Sequence, residues 1–174
     1  MNVAEIMEQR NAFSFEVFPP KTDVGMEKLC GEGGVLEKLY TPNPDYISCT
    51  YGAGGTNVGK NLEVLKKIKA DGKCTPVTHF TCVANTKEGI KDQLQTYLDN
   101  GIDHMLALRG DIPFGWTGTN GDLHYATELV KFVRKEFGDK FTIAVAGSPE
   151  GHIACRSLEA DISFLKQKQD EGAD

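Results

Sequence analysis

Residues 45–70 read DYISCTYGAGGTNVGKNLEVLKKIKA: an apolar run, a glycine-rich turn, then an amphipathic helical pattern closed by Gly72. A strand, a loop and a helix in that order form the frame of a phosphate-binding loop, and Gly54 to Lys60 fits G-x-x-x-x-G-K. The next position needs a Ser or Thr hydroxyl for magnesium, and here it is Asn61. A nucleotide hydrolase also needs an apolar strand running straight into a magnesium-binding Asp, whereas HMLALRGD at 104–111 interposes Arg109 and Gly110 before Asp111. The cluster Gly52-Ala53-Gly54-Gly55 has a second use, since glycines let backbone approach a large planar or phosphorylated ligand. The rival reading is thus a nucleotide-binding module on an open α/β sheet. No G-x-G-x-x-G follows any predicted strand, so an ordinary dinucleotide-binding unit is unsupported.

Outward from this stretch the chain keeps alternating. Strands are predicted at 12–18, 45–51, 76–83, 104–110 and 141–147 from alternating or β-branched apolar runs. Helices are predicted at 25–40 (interrupted by glycines), 59–72, 85–101, 123–139 and 156–174. Five β-then-α units with no hairpin signal imply parallel strands joined by right-handed crossovers. Two architectures satisfy that pattern, a doubly wound open sheet and a (β/α) barrel. A finished barrel needs eight units and about 250 residues, so 174 residues hold a barrel only through its fifth helix.

Composition narrows the function. A net charge of −6 with no basic stripe argues against a nucleic-acid binder and against an anionic-membrane surface protein. No run approaches the ~18 apolar residues of a membrane span, and MNVAEIMEQRNAFSF carries acids where a signal peptide has an apolar core. A soluble cytoplasmic protein is expected. Cys30, Cys49, Cys74, Cys82 and Cys155 form no C-x-x-C pair, so free thiols are expected and structural zinc is not. No His/Glu spacing argues for a metal, and no nucleophile–His–Asp set is in a recognisable context.

In either architecture chemistry gathers where strands end, and all five strands deliver polar groups there. The first carries Glu16 and runs into Phe18-Pro19-Pro20-Lys21; the second ends Thr50-Tyr51-Gly52; the third carries His79 and Thr81. The fourth ends Arg109-Gly110-Asp111, and the fifth Ser148-Pro149-Glu150, with His152 beyond. The polar, aromatic segment 110–122 suits a loop over a site. Glu16 reads as an exposed edge residue, as an ion-pair partner, or as a carboxyl desolvated among Phe15, Val17 and Phe18 and so kept protonated for general-acid work. Asp111 reads equally as a turn residue. A strand His such as His79 is more often a satisfied core histidine, His104 and His124 look structural, and His152 lies in a loop.

Taken together, FSFEVFPPK at 13–21, SCTYGAGG at 48–55, THFTC at 78–82, LALRGD at 106–111 and SPEGH at 148–152 resemble the methylenetetrahydrofolate reductase family. EADISFLKQKQDEGAD at 159–174 resembles that family's fifth helix. The resemblance implies an α/β fold of the (β/α)8 TIM barrel type, of which this chain covers about the first five βα units. Residues 1–174 would then be a single catalytic-barrel domain, incomplete at the C-terminus and exposing two raw sheet edges. A chain complete at this length would be weakly active, inactive, or completed by another chain.

It also implies a flavoprotein that binds FAD and reduces 5,10-methylenetetrahydrofolate to 5-methyltetrahydrofolate with NAD(P)H, one flavin face serving both substrates in a ping-pong scheme. A homo-oligomer or an electron-transfer partner subunit is compatible with it. By motif, Glu16 matches the general acid and Asp111 the aspartate near flavin and pterin. Thr50, Tyr51, His79, Leu108, Arg109 and Gly110 match positions lining FAD, and so do Tyr125, Gly147, His152, Asp161 and Lys168. Two departures stand out. Relatives carry arginines after the position of Thr56, where this chain has Asn57-Val58-Gly59-Lys60-Asn61, and Ser148 stands where some have an aromatic residue.

Overall fold

The structure, a computed structural model, describes residues 2–51 and 58–174. Five strands, β1 (Ser14–Val17), β2 (Tyr46–Cys49), β3 (Thr75–Thr81), β4 (His104–Leu108) and β5 (Thr142–Val145), form one sheet in the order β1-β2-β3-β4-β5. Every pairing is parallel. That order has no point where the winding reverses, which a doubly wound sheet requires. Strands laid down consecutively with crossovers of one hand keep their helices on one face and curl toward a barrel. The chain is an α/β arc of the TIM-barrel type.

The helices are α1 (Val3–Gln9), α2 (Asp23–Cys30), α3 (Val35–Tyr40), α4 (Val58–Asp71), α5 (Lys87–Asp99), α6 (Ala126–Phe137) and α7 (Leu158–Asp170). The glycine-interrupted helix expected at 25–40 is two helices, because Gly31 caps α2 and Gly33 turns at φ +68° before α3 begins. The α6 helix starts later than expected, with Tyr125 as its extended N-cap. The α1 helix was not anticipated, although its signal is present. Asn2 accepts from the Glu5 N–H while the Glu5 carboxylate accepts from the Asn2 N–H, a reciprocal capping box.

Register separates the two faces of the sheet. Phe15 pairs with Ile47, Val17 with Cys49, Thr78 with Met105 and Phe80 with Ala107. The apolar members of this face share one core with Leu65 and Ile68 of α4, Leu94 and Tyr97 of α5, and Val130 and Val133 of α6. The alternate residues face the other way. There Glu16, Ser48, Val77, His79, Leu106 and Ala144 line a hollow of about 390 Å³. The α1 helix closes its floor with Val3, Ala4 and Met7, held by the Val3 N–H donating to His104 Nε2 at 3.3 Å. The other ring nitrogen of His104 sits 2.7 Å from Asp103, a contact that draws the Asp103 carboxyl below its ordinary range.

An Asp–Arg clasp recurs along the N-terminal rim. Asp45, just before β2, accepts from the Phe13 N–H and pairs with Arg10. Asp174 accepts from the Ile143 N–H of β5 and pairs with Arg134, while its own N–H donates to the Ile143 carbonyl. Each clasp fixes register by satisfying strand backbone that would otherwise lie unpaired. Among the described residues, no helix is long and apolar enough to cross a membrane.

Candidate functional site

The phosphate-loop reading fails on its own residues. Asn61 is fully buried, its amide donating to the Cys49 and Thr50 carbonyls at 3.0 Å. Its oxygen accepts from Tyr97 at 2.7 Å and Thr78 at 3.2 Å. Asn61 therefore ties α4 to β2, β3 and α5, deep between helices and sheet, where no phosphate-bound magnesium can lie. Lys60 turns away as well, donating to the Lys21 carbonyl and pairing with Asp23. The glycines at 52–55 lie outside the described residues.

The concave face carries the chemistry. Glu16 projects from β1 into the hollow, with Phe15 and Val17 on the opposite face of the sheet. The expected apolar packing around its carboxyl is absent among the described residues; the side chain is 49% exposed. Its nearest ionic partner is His79, whose Nε2 lies 3.3 Å from Glu16 Oε2. His79 is buried, and burial pulls its pKa below the usual histidine value, with Glu16 pushing weakly back. A neutral imidazole thus stands beside a half-exposed carboxyl, an arrangement suited to holding and releasing a proton.

Beyond β4 the chain turns sharply. Gly110 has φ +87°, and a Cβ there would come within 2.5 Å of Val83 Cγ1 and 3.0 Å of Thr81 Cβ. Leu108 and Arg109 offer their carbonyls to the N–H groups of Cys82 and Val83. The Arg109 guanidinium bonds back to the Gly110 carbonyl at 3.0 Å, and Asp111 is exposed just past it. The loop that follows is pinned at its far end, where Ala84 donates to the Thr119 carbonyl and Asp122 to that of Asn85. Phe114 is left wholly in solvent, and Trp116 is exposed. Thr50 sits at the end of β2, its N–H bonded to the Val17 carbonyl at 3.0 Å.

Tyr51 needs a correction of emphasis. Its ring is 2% exposed, packs against Phe80 with centroids 5.2 Å apart, and its hydroxyl donates to Gln93. The side chain belongs to the core. Of the remaining residues, four gather at the end of β5. The His152 N–H donates to Asp161 at 2.9 Å, Lys168 donates to the Ala146 carbonyl at 2.8 Å, and Gly147 packs beside Leu165. Partial burial lowers the Lys168 pKa, with Asp161 opposing. Tyr125 stands exposed at the start of α6. The rim therefore presents one group from β1 to β4 and a second around β5 and α7.

Two polar residues of this face stand out: Ser48, which the sequence reading left out of the site, and Thr81, which it placed on the rim without a ligand role. Ser48, 8% exposed, lies in register between Glu16 and Val77. Thr81, also 8% exposed, carries the only buried side-chain oxygen without a hydrogen-bond partner among the described residues. The period-two pattern of β3 puts Thr81 on the same face as His79, and that pattern was the available signal.

A family model described as methylenetetrahydrofolate reductase matches residues 2–174. A rice protein named probable methylenetetrahydrofolate reductase (NADH) is 37% identical, covering 95% of this chain and 29% of its own. An Arabidopsis thaliana methylenetetrahydrofolate reductase (NADH) 1 is 36% identical over 99% of this chain and 31% of its own. A Pectobacterium carotovorum 5,10-methylenetetrahydrofolate reductase is 37% identical over 99% of this chain and 55% of its own. The chain thus spans from under a third to just over half of these relatives' lengths.

Proposed function

The chain belongs to the methylenetetrahydrofolate reductase family, and from that premise we propose that its concave face is part of a site reducing 5,10-methylenetetrahydrofolate to 5-methyltetrahydrofolate with NAD(P)H. Residues 1–174 would supply the first five βα units of a single catalytic barrel domain. The rice and Arabidopsis relatives are named for NADH, which favours NADH as the reductant.

The residues present fit a flavin. The buried, unpartnered Thr81 hydroxyl on the face that carries His79 is a polar group in want of a ligand. Around it, Thr50, His79, Leu108, Arg109, Gly110 and Asp111 would hold FAD, with Tyr51 contributing main chain. His152, Asp161, Lys168, Gly147 and Tyr125 would hold its far end. FAD, when bound, supplies the two-electron relay that lets NAD(P)H and folate visit in turn.

The chain's own residues do the proton work. Glu16 holds the proton that goes to folate N10 as the imidazolidine ring opens. The bond from N10 to the methylene carbon breaks, its electron pair takes the proton, and an iminium at N5 remains as the hydride acceptor. Asp111, at the rim opposite β1, would orient the pterin. Support comes chiefly from one observation: Glu16 reaches into the hollow within 3.3 Å of His79.

Stopped-flow spectroscopy of the two half-reactions tests this. The purified protein should be yellow, bleached by NADH and re-oxidised by methylenetetrahydrofolate. Glu16→Gln should slow the folate half-reaction by ~10²–10⁴-fold relative to the nicotinamide half-reaction. Equal slowing of both, or a colourless protein, overturns the reading.

A further inference from the structure

We propose that His79 is the positioning residue for Glu16, fixing which carboxyl oxygen carries the transferable proton. The inference rests on the functional reading above but is drawn from geometry the reading did not use. Glu16 is half-exposed among the described residues, so its side chain has rotamers to lose. His79 is buried and fixed on β3, two strands away, and its Nε2 reaches to 3.3 Å from Oε2. In a ligand-free site such contacts are commonly off-line, and they straighten when the substrate arrives. Once Glu16 has taken up the proton it will transfer, the neutral imidazole, with its own proton on Nε2, donates to Oε2, which is then the carbonyl oxygen of the carboxyl. Oε1 then bears the proton and faces the open hollow. After transfer, the same N–H stabilises the carboxylate left behind, so no further proton or co-reactant is needed.

The pair is isolated enough to be read. The other titratable groups lining the hollow are Tyr46 of β2, His104 of β4 and Asp174 at the chain end. His104 and Asp174 are engaged elsewhere, by Asp103 and Val3 and by Arg134 and Ile143 respectively. Ser48, between β1 and β3, is uncharged and buried.

Two measurements decide it. Imidazole nitrogen NMR should show His79 protonated on Nε2 when neutral. Its titration midpoint should fall further in Glu16→Gln, because the carboxylate that raises it is gone. The opposite tautomer, or an unmoved midpoint, overturns the pairing whether or not the protein reduces folate. In the half-reactions, His79→Leu should slow folate reduction ~10–100-fold more than flavin reduction by NADH. His79→Gln, which keeps an N–H donor, should recover part of that excess, and Glu16→Gln should abolish it. An excess that persists in the Glu16→Gln background means that His79 acts without Glu16, and the proposal falls. A wild-type protein inert toward folate would instead sink the functional reading, and the NMR shift would still judge the pair.

Discussion

The two faces of the sheet are built from alternate residues of the same strands and share almost nothing else. On the helix side Ile47, Cys49, Phe80, Met105, Ala107 and Ile143 are all at 0% exposure. One residue away on the hollow side stand Glu16, Ser48, His79 and Thr81, polar, incompletely paired or half open. A parallel strand ordinarily buries both faces in apolar contact. Among the described residues the apolar burial lies mainly on one face, and the other carries polar groups that an apolar core would reject.

Phe80→Ala should give the largest stability effect. Phe80 is fully buried, touching Tyr51 and Tyr97 edge to tilt, and its removal should cost about 3–5 kcal/mol. At roughly 2–4 °C per kcal/mol, Tm should fall by about 6–20 °C. A residue of the other face, on β1, offers the contrast. Glu16→Gln should stay within about 0.5 kcal/mol of the parent. Chemical denaturation of both variants checks the pair. Similar losses from the two would erase the distinction between the faces.

Gly110→Ala probes the border between them, where β4 hands over to the loop bearing Asp111. An alanine at φ +87° is strained by about 1–2 kcal/mol. Its methyl would also collide with Val83 and Thr81, adding about 1–3 kcal/mol. The collision presses on Thr81, so if the proposed flavin site is right its flavin affinity should drop along with stability. Calorimetry with a flavin titration separates the two effects. A variant of parental stability would mean that this turn is not the rigid corner described.

How much of this was legible beforehand follows from the same contrast. Alternation of apolar runs located all five strands, and the glycines at 72 and 101 (φ +62° and +72°) ended α4 and α5 where expected. Strand order was not legible. Parallel crossovers suit both an open sheet and a barrel, and only pairing in space chooses between them. The core face of Tyr51 was legible but not used: it stands two residues past Cys49, continuing the Ile47–Cys49 alternation, and its ring packs on Phe80 in the helix layer. Of the three readings of Glu16, exposure and an ionic partner are what the structure shows, and the desolvated carboxyl is not, because Phe15 and Val17, its sequence neighbours on the strand, point to the other face. His79 and Glu16 lie on different strands, with β2 between them, so no local pattern could have paired them.

The smallest effect, and the sharpest comparison, is in pH. His79 is neutral and buried, with a pKa below the usual 6.5. The unfolded chain takes up that proton first, so stability is complete above ~6.5 and falls as pH drops toward the folded value, then levels off. Asp45 behaves as an acid held in its charged form. Arg10, then the Phe13 N–H, lowers its pKa from the usual 3.8. Its contribution is complete above the unfolded value and disappears as pH falls from there through the folded one. The hollow should therefore weaken in mild acid and the N-terminal rim only in strong acid. Denaturation midpoints measured from pH 8 to pH 3 should show both limbs. His79→Gln should flatten the mild one and Asp45→Asn the strong one, each leaving the other in place. If Asp45→Asn left the strong-acid limb unchanged, the Arg10 clasp would not be holding β1 to β2 in solution.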